Sequence, residues 1–243
     1  MTFCIAMKVQ QGLVGIADTR ITSGVEHIKA RKVTVQQYDR HAMFLMTSGL
    51  RSARDKALTY FEEILEERPE KHDKLYKVVN AFAEQLRRVW AEDALALKEA
   101  GLEMNLHTLI GGQLEKDTEH KLYLLYPQAN WVEVSEGTPY YMIGESSYGK
   151  PLLSRALRYD TGLSRALKLG YLAFESTKTA TTDVDFPIDV VLYKKDSYQI
   201  VQHRFEQQEM FEISEWWKNR LNQSVEELPG QWLAAAMNKL PPD

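Results

Sequence analysis

Two runs of almost unbroken apolar residues stand near the head of the chain, TFCIAMKV at 2–9 and LVGIADT at 13–19, with QQG between them. Short apolar runs bounded by a glycine turn predict a strand pair. ITSGVEHIK reads as turn-like. In ARKVTVQQYD the pattern alternates, with Val33 and Val35 on one face and Lys32, Thr34 and Gln36 on the other, the period of a strand with one face covered. AMFLMTSG is apolar again and closes on Gly49.

The period then changes. LRSARDKALTYFEEILEERP puts Ala57, Leu58, Phe61, Ile64 and Leu65 on one side of a helix, with Pro69 as the stop. DKLYKVVNAFAEQLRRVWAEDALALKEAG repeats this with Leu75, Val78, Val79, Phe82, Leu86 and Val89, and Gly101 is placed to cap it. Strand patterns return in LHTLIGGQL, HKLYLLYP, NWVEVSE and TPYYMIG. PLLSRALRYD and TGLSRALKLGYLAFESTK read as helices, and DVVLYKKDSYQIVQHRF as a hairpin. EMFEISEWWKNRLNQSVEEL is a helix with Phe211, Ile213, Trp216, Trp217 and Leu221 on its apolar side, and a short helix is expected before Pro241.

Strand blocks separated by helix pairs, without a βαβ alternation, predict antiparallel sheets. The expected fold is α+β, a four-layer α/β/β/α sandwich in which helix pairs cover two antiparallel sheets. No linker or repeat interrupts it, so residues 1–243 read as one domain with a helical extension over about 207–243.

The chain has 243 residues, 44% of them hydrophobic and 26% charged, which is ordinary for a globular protein. A net charge of −4 without a basic block argues against nucleic acid or an anionic membrane as partner. No apolar run reaches the ~18 residues of a membrane span, and no secretory signal pattern precedes Cys4. Cys4 is the sole cysteine and sits among apolar neighbours, so it reads as a small core residue in a reducing, cytoplasmic setting. Cysteine and the six histidines show no metal-ligand spacing, so no metal or other cofactor is expected.

Candidate chemistry begins at Thr2. A threonine hydroxyl needs a base before it can attack. A free N-terminal amine, with an unperturbed pKa of ~7.7–8, is roughly one-third neutral near pH 7.5. Thr2 would carry nucleophile and base on one residue once Met1 is removed. Asp18 at the end of the second strand would fix a cation, and Lys32 beside Thr2 would lower the proton affinity of its hydroxyl. On spacing alone, a frayed terminal threonine and two surface charges remain the competing reading.

The opening MTFC, the tripeptide DTR at 18–20, ARKV at 30–33, TSGL at 47–50, IGESSYGKP at 143–151 and FPID at 186–189 together resemble the proteasome-type N-terminal nucleophile hydrolases. The bacterial ancestral β-subunit group, Anbu, is the nearest in kind. The resemblance runs from Thr2 to about Tyr193. It implies a threonine peptidase of a self-assembling, proteasome-like complex, a homo-oligomeric ring or spiral acting on peptides or unfolded protein. Thr2 would match the nucleophile, Asp18 its acidic partner, Lys32 the activating lysine, and Gly49 the backbone N–H that meets the oxyanion. Arg20 would order the loop. Backbone near Thr22 and Gly49 would pair with an extended substrate. The family's Gly-Ser-Gly turn reads GESSYG here, so Ser146 or Ser147 takes the serine's part, and Asp183 stands for the supporting acid. A non-peptidase amidohydrolase and a silent assembly scaffold are the alternatives.

GESSYGK also fits G-x-x-x-x-G-K, but Pro151 stands where a phosphate loop needs Ser or Thr. GGQ at 111–113 reads as a turn or bulge.

Overall fold

The structure, a computed structural model, describes residues 2–23, 26–67 and 72–241, with the side chains of 21–29 outside that description. Pro69, the expected stop, also lies outside the described residues. In chain order the elements are β1 (Phe3–Val9), β2 (Gly12–Asp18), β3 (Arg20–Ser23), β4 (Glu26–Lys29), β5 (Val33–Tyr38) and β6 (His41–Ser48), then α1 (Arg51–Glu67) and α2 (Leu75–Glu99). Next come β7 (His107–Gln113), β8 (Lys121–Leu125), β9 (Trp131–Glu133), β10 (Tyr140–Gly144), α3 (Lys150–Ala156) and α4 (Leu163–Ala180). β11 (Ile188–Lys194), β12 (Ile200–Phe205), α5 (Gln207–Glu226) and α6 (Ala234–Met237) complete the chain.

Two five-stranded sheets result, ordered β10-β1-β2-β11-β12 and β5-β6-β7-β8-β9, with every neighbouring pair antiparallel. The first two apolar runs are explained by burial on both faces. On β1, Cys4 and Ala6 point into the layer between the sheets with Phe44, Met46, Leu109, Leu124 and Val191. Phe3 and Met7 point the other way; Phe3 meets the edge of Phe174 on α4 at 5.7 Å between ring centroids. Gly170 on α4 faces Met7 and Ile16 so closely that a Cβ there would stand 2.6 Å from Met7. A strand covered on both sides needs apolar residues at every position, not at alternate ones.

The second sheet follows the same rule. Met43, Leu45 and Ile110 face Phe61, Val79 and Phe82 of α1 and α2, while Phe44 and Met46 face the first sheet. The four layers are therefore α1/α2, the β5–β9 sheet, the β10–β12 sheet and α3/α4. Fully burying each such aromatic or aliphatic side chain stabilises the fold by ~1.5–3 kcal/mol before conformational entropy is counted.

Two sequence expectations are corrected. ITSGVEHIK is not merely a turn: β3 and β4 pair from Arg20↔Lys29 to Ser23↔Glu26. Isoleucine and threonine at three of those positions favour extended backbone. GGQ lies inside β7, not at a turn. Gly111 makes room for Phe44 from the neighbouring strand, since a Cβ on Gly111 would come within 2.6 Å of its ring.

Gly101 caps α2 as expected. The Gly101 N–H donates to Lys98 O at 3.1 Å and the Leu102 N–H to Leu97 O at 2.8 Å, with Gly101 at φ +69°. Both bonds use carbonyls that the helix end leaves unpaired.

Residues 1–205 and 206–243 are separate compact units. The second unit holds α5 and α6. Its Phe211, Ile213, Trp216, Leu221, Trp232 and Leu240 are all exposed. Among the described residues no helix is long and apolar enough to cross a membrane.

Candidate active site

The residues leading into β1 and β5, the C-terminal ends of β6 and β10 and the start of α1 open onto a cleft of about 550 Å³. Thr2, Lys32, Gly49 and Gly144 line it, together with Arg54 and Asn105. Four residues drawn from separate parts of the sequence thus share one cavity or its floor: Thr2, Lys32 and Gly49 on the wall, and Asp18 beneath.

Asp18 ends β2 opposite Ile188 of β11, where the sheet excludes water. Its Oδ1 accepts the Phe3 N–H at 2.8 Å and the Lys32 ammonium at 2.6 Å. Its Oδ2 accepts the Arg20 N–H at 3.1 Å. The ammonium also donates to Arg20 O at 2.6 Å. One carboxylate therefore fixes the peptide bond after Thr2 and the lysine beside it. Burial pushes the Asp18 carboxyl above its ordinary pKa; the Lys32 charge and the donated N–H bonds pull the other way.

Thr2 itself precedes β1. Its carbonyl accepts the Glu145 N–H at 2.7 Å. Gly144, at φ +81°, approaches so closely that a Cβ would fall 1.9 Å from that carbonyl oxygen. Only glycine fits a left-handed backbone pressed against another chain. Gly49, at φ +133°, is held in a similar way, with a Cβ position 2.5 Å from Asn105 O.

Arg20 binds Asp185 at 3.0 Å, and Asp185 Oδ1 accepts the Phe186 N–H at 2.8 Å. Thr19 next to it donates both its N–H and its hydroxyl to Pro187 O, at 3.0 and 2.9 Å. The FPID segment thus braces the DTR corner. Asp183, expected from the sequence to support the site, lies half-buried in the turn before it. Ser146 and Ser147 occupy the turn after β10; the Ser147 N–H donates to Glu145 Oε1 at 2.8 Å, and Ser146 O accepts the Lys150 N–H at 3.1 Å. Thr22 pairs through β3 with His27, and its side chain lies outside the described residues.

Cys4 is fully buried, its Sγ 3.8 Å from Thr47 O, and burial drives its thiol pKa far up. It is a core residue, not a nucleophile. The GESSYGK turn connects an antiparallel edge strand to a short helix with Pro151 in its first turn, which is not the parallel strand–loop–helix of a phosphate site. Among the described residues no group of three or more His, Cys, Asp or Glu could hold a metal ion. Arg54, Asn105, Gly144 and Asp185 went unnoticed in the sequence. Only the GESSYG motif held a hint of one of them, its first glycine.

A threonine leading the inner strand of a two-sheet sandwich, above a buried Asp–Lys pair, is the arrangement of the proteasome-type N-terminal nucleophile fold. Comparison with solved structures places the chain's likeness within that class at the Anbu group. Anbu (ancestral beta-subunit) from Yersinia bercovieri is similar over 94% of this chain and 98% of its own, at 28% identity and a TM-score of 0.86. The helical assembly of the Anbu complex from Pseudomonas aeruginosa matches over 99% and 98%, at 27% identity and 0.84. A Gly-1 mutant of Anbu from Hyphomicrobium sp. strain MC1 matches over 94% and 99%, at 26% and 0.86. No family model and no curated protein sequence matches.

Proposed function

We propose that the chain is an N-terminal threonine hydrolase, a peptidase that works as one subunit of a self-assembling proteasome-like complex. The observation that carries this is the shared Asp18 oxygen, which ties Lys32 and the Phe3 N–H together at the wall of the cleft that Thr2 lines. Processing removes Met1 and frees the Thr2 amine. The Thr2 hydroxyl attacks the carbonyl carbon of a bound amide while the amine takes its proton. The Lys32 charge favours the developing alkoxide. The Gly49 N–H meets the tetrahedral oxyanion. The C–N bond then breaks, the proton passes to the leaving amine, and an ester to Thr2 Oγ remains. Water, deprotonated by the same amine, cleaves that ester and restores the hydroxyl.

Substrate enters as an extended strand. Among the described residues the second edge of β3 pairs with no strand, which suits peptide addition beside Thr22. Arg20 with Asp185 holds the corner, and Ser146 or Ser147 lies in the turn that follows Gly144.

Assembly is homo-oligomeric in this reading. A helical assembly is described for the Pseudomonas aeruginosa Anbu complex. Here the unit 206–243 exposes a row of large apolar side chains, more than a soluble monomer usually leaves open.

Intact-mass analysis of the working protein, with and without an epoxyketone or β-lactone probe, tests the proposal. The expected product lacks Met1 and carries one adduct on Thr2, and Thr2→Ala abolishes both the adduct and peptide cleavage. Working protein that retains Met1 sinks the mechanism. A Thr2 adduct with small amides cleaved and peptides ignored would assign a non-peptidase amidohydrolase instead.

A further inference from the structure

Gly49 is fastened on both sides by a single stretch of chain. Upstream, Ser48 lies opposite His107 in the β6–β7 ladder. Downstream, the Leu50 N–H donates to Asn105 Oδ1 at 3.1 Å. The carbonyl of Leu50 is committed as well, because it accepts the Arg54 N–H at 3.1 Å in the first turn of α1. The carbonyl of Asn105 meets His107 Nδ1 at 3.1 Å and stands 2.5 Å from where a Gly49 Cβ would be. Residues 105–107 therefore hold the peptide plane after Gly49 through the Leu50 N–H and stand beside the strand end before it. With Ser48 in the ladder and Leu50 held, little freedom is left in the two torsions at Gly49. The direction of its N–H, and with it the place where an oxyanion is met, depends on both anchors.

We infer that Asn105 is a positioning residue: by holding Leu50 N–H it aims the Gly49 N–H into the cleft that both residues line. The inference rests on the reading of Thr2 as nucleophile and of Gly49 as oxyanion donor. Neither periodicity nor the family resemblance pointed to Asn105, which sits in the irregular connection between α2 and β7. Its side chain is exposed and takes no part in the core, so truncating it is expected to leave the fold standing. Such a residue acts on the transition state more than on the bound ground state. Charge on the carbonyl oxygen appears only as the tetrahedral species forms, and a misaimed donor is felt only then.

The test uses a peptide β-lactone on the full-length processed protein. Thr2 Oγ bonds to the lactone carbonyl carbon, the ring C–O bond breaks, and the released alkoxide takes up the proton that the amine removed. Asn105→Ala is expected to lower the maximal acylation rate kinact about 10–10²-fold, less than the ~10²–10³ of a donor removed outright. KI should stay within about threefold, since uniform binding is untouched. Thermal melts of Asn105→Ala are expected to confirm a folded chain. An unchanged kinact in Asn105→Ala, or a loss confined to KI, overturns the inference. Wild-type protein that is never acylated on Thr2 overturns the hydrolase reading instead.

Discussion

Asp18 and Lys32 meet at 2.6 Å with almost no contact with solvent, their side chains 0% and 3% exposed. A pair so placed is held together by more than mutual attraction. Three further hydrogen bonds complete it: the Phe3 and Arg20 N–H groups on the carboxylate and Arg20 O on the ammonium. Desolvation of each charge is offset only while the partner and those bonds are in place.

Removing one member should therefore be severe for the fold as well as for the chemistry. Lys32→Met is expected to destabilise by about 3–5 kcal/mol, because it strands a buried carboxylate. Asp18→Asn/Lys32→Met should cost less than the sum of the single changes, by at least ~1 kcal/mol. Urea midpoints of the four proteins measure this. Strict additivity would mean that the two groups do not act as a unit.

Gly144→Ala should damage the site without touching any polar side chain. The added methyl collides with the Thr2 carbonyl and demands a left-handed backbone from alanine. About 1–3 kcal/mol of stability should be lost, and acylation of Thr2 should slow at least tenfold as the carbonyl moves. Equal labelling rates in wild type and variant would show that the close approach does not position Thr2.

His120 sets an acid limit on stability. It is fully buried, its Nε2 2.8 Å from Val9 O, and among the described residues its Nδ1 has no hydrogen-bond partner. Burial lowers its pKa; the neighbouring Lys8 and Lys195 act in the same sense, while Glu119 and the Val9 carbonyl oppose it. The unfolded chain therefore binds a proton at higher pH than the folded one. Its contribution is complete above about pH 6.5 and declines as pH falls below that, by up to ~1.4 kcal/mol per pH unit until the folded pKa is reached. In His120→Gln the slope of urea midpoint against pH between 6.5 and 5.5 should flatten. An unaltered slope would assign the acid sensitivity elsewhere.

The exposed apolar row of α5 gives a prediction about mass. Phe211→Glu/Trp216→Glu should shift native mass spectra from assemblies toward smaller species, with far-UV circular dichroism unchanged. Assemblies of wild-type size in the double variant would remove α5 from the contact.

Most of the architecture could be read from the chain because its layers are buried on defined faces. TFCIAMKV and LVGIADT lack alternation for a physical reason: each is covered on both sides. The long helices announce themselves through Phe61, Val79 and Phe82 at helical spacing. The resemblance named Thr2, Asp18, Lys32 and Gly49 as candidates, and three of them line one cleft. What stayed hidden depends on neighbours distant in sequence. Gly111 is explained by Phe44, 67 positions away by subtraction of their numbers, and reads as a turn without it. Asp183 and Asp185 stand in one polar stretch, and no local pattern says that Asp185 meets Arg20. Asn105 carries no periodic signal at all; its meaning comes from the amide of Leu50.

Thr2 extends from a ribbon clasped on both flanks, by β10 and by β2. Its location is inherited from a strand paired along both edges, while the rim at 49–54 and 101–106 belongs to connections and helix ends. The rim can thus change in sequence without moving Thr2, because the sheet and not the rim sets where that residue stands.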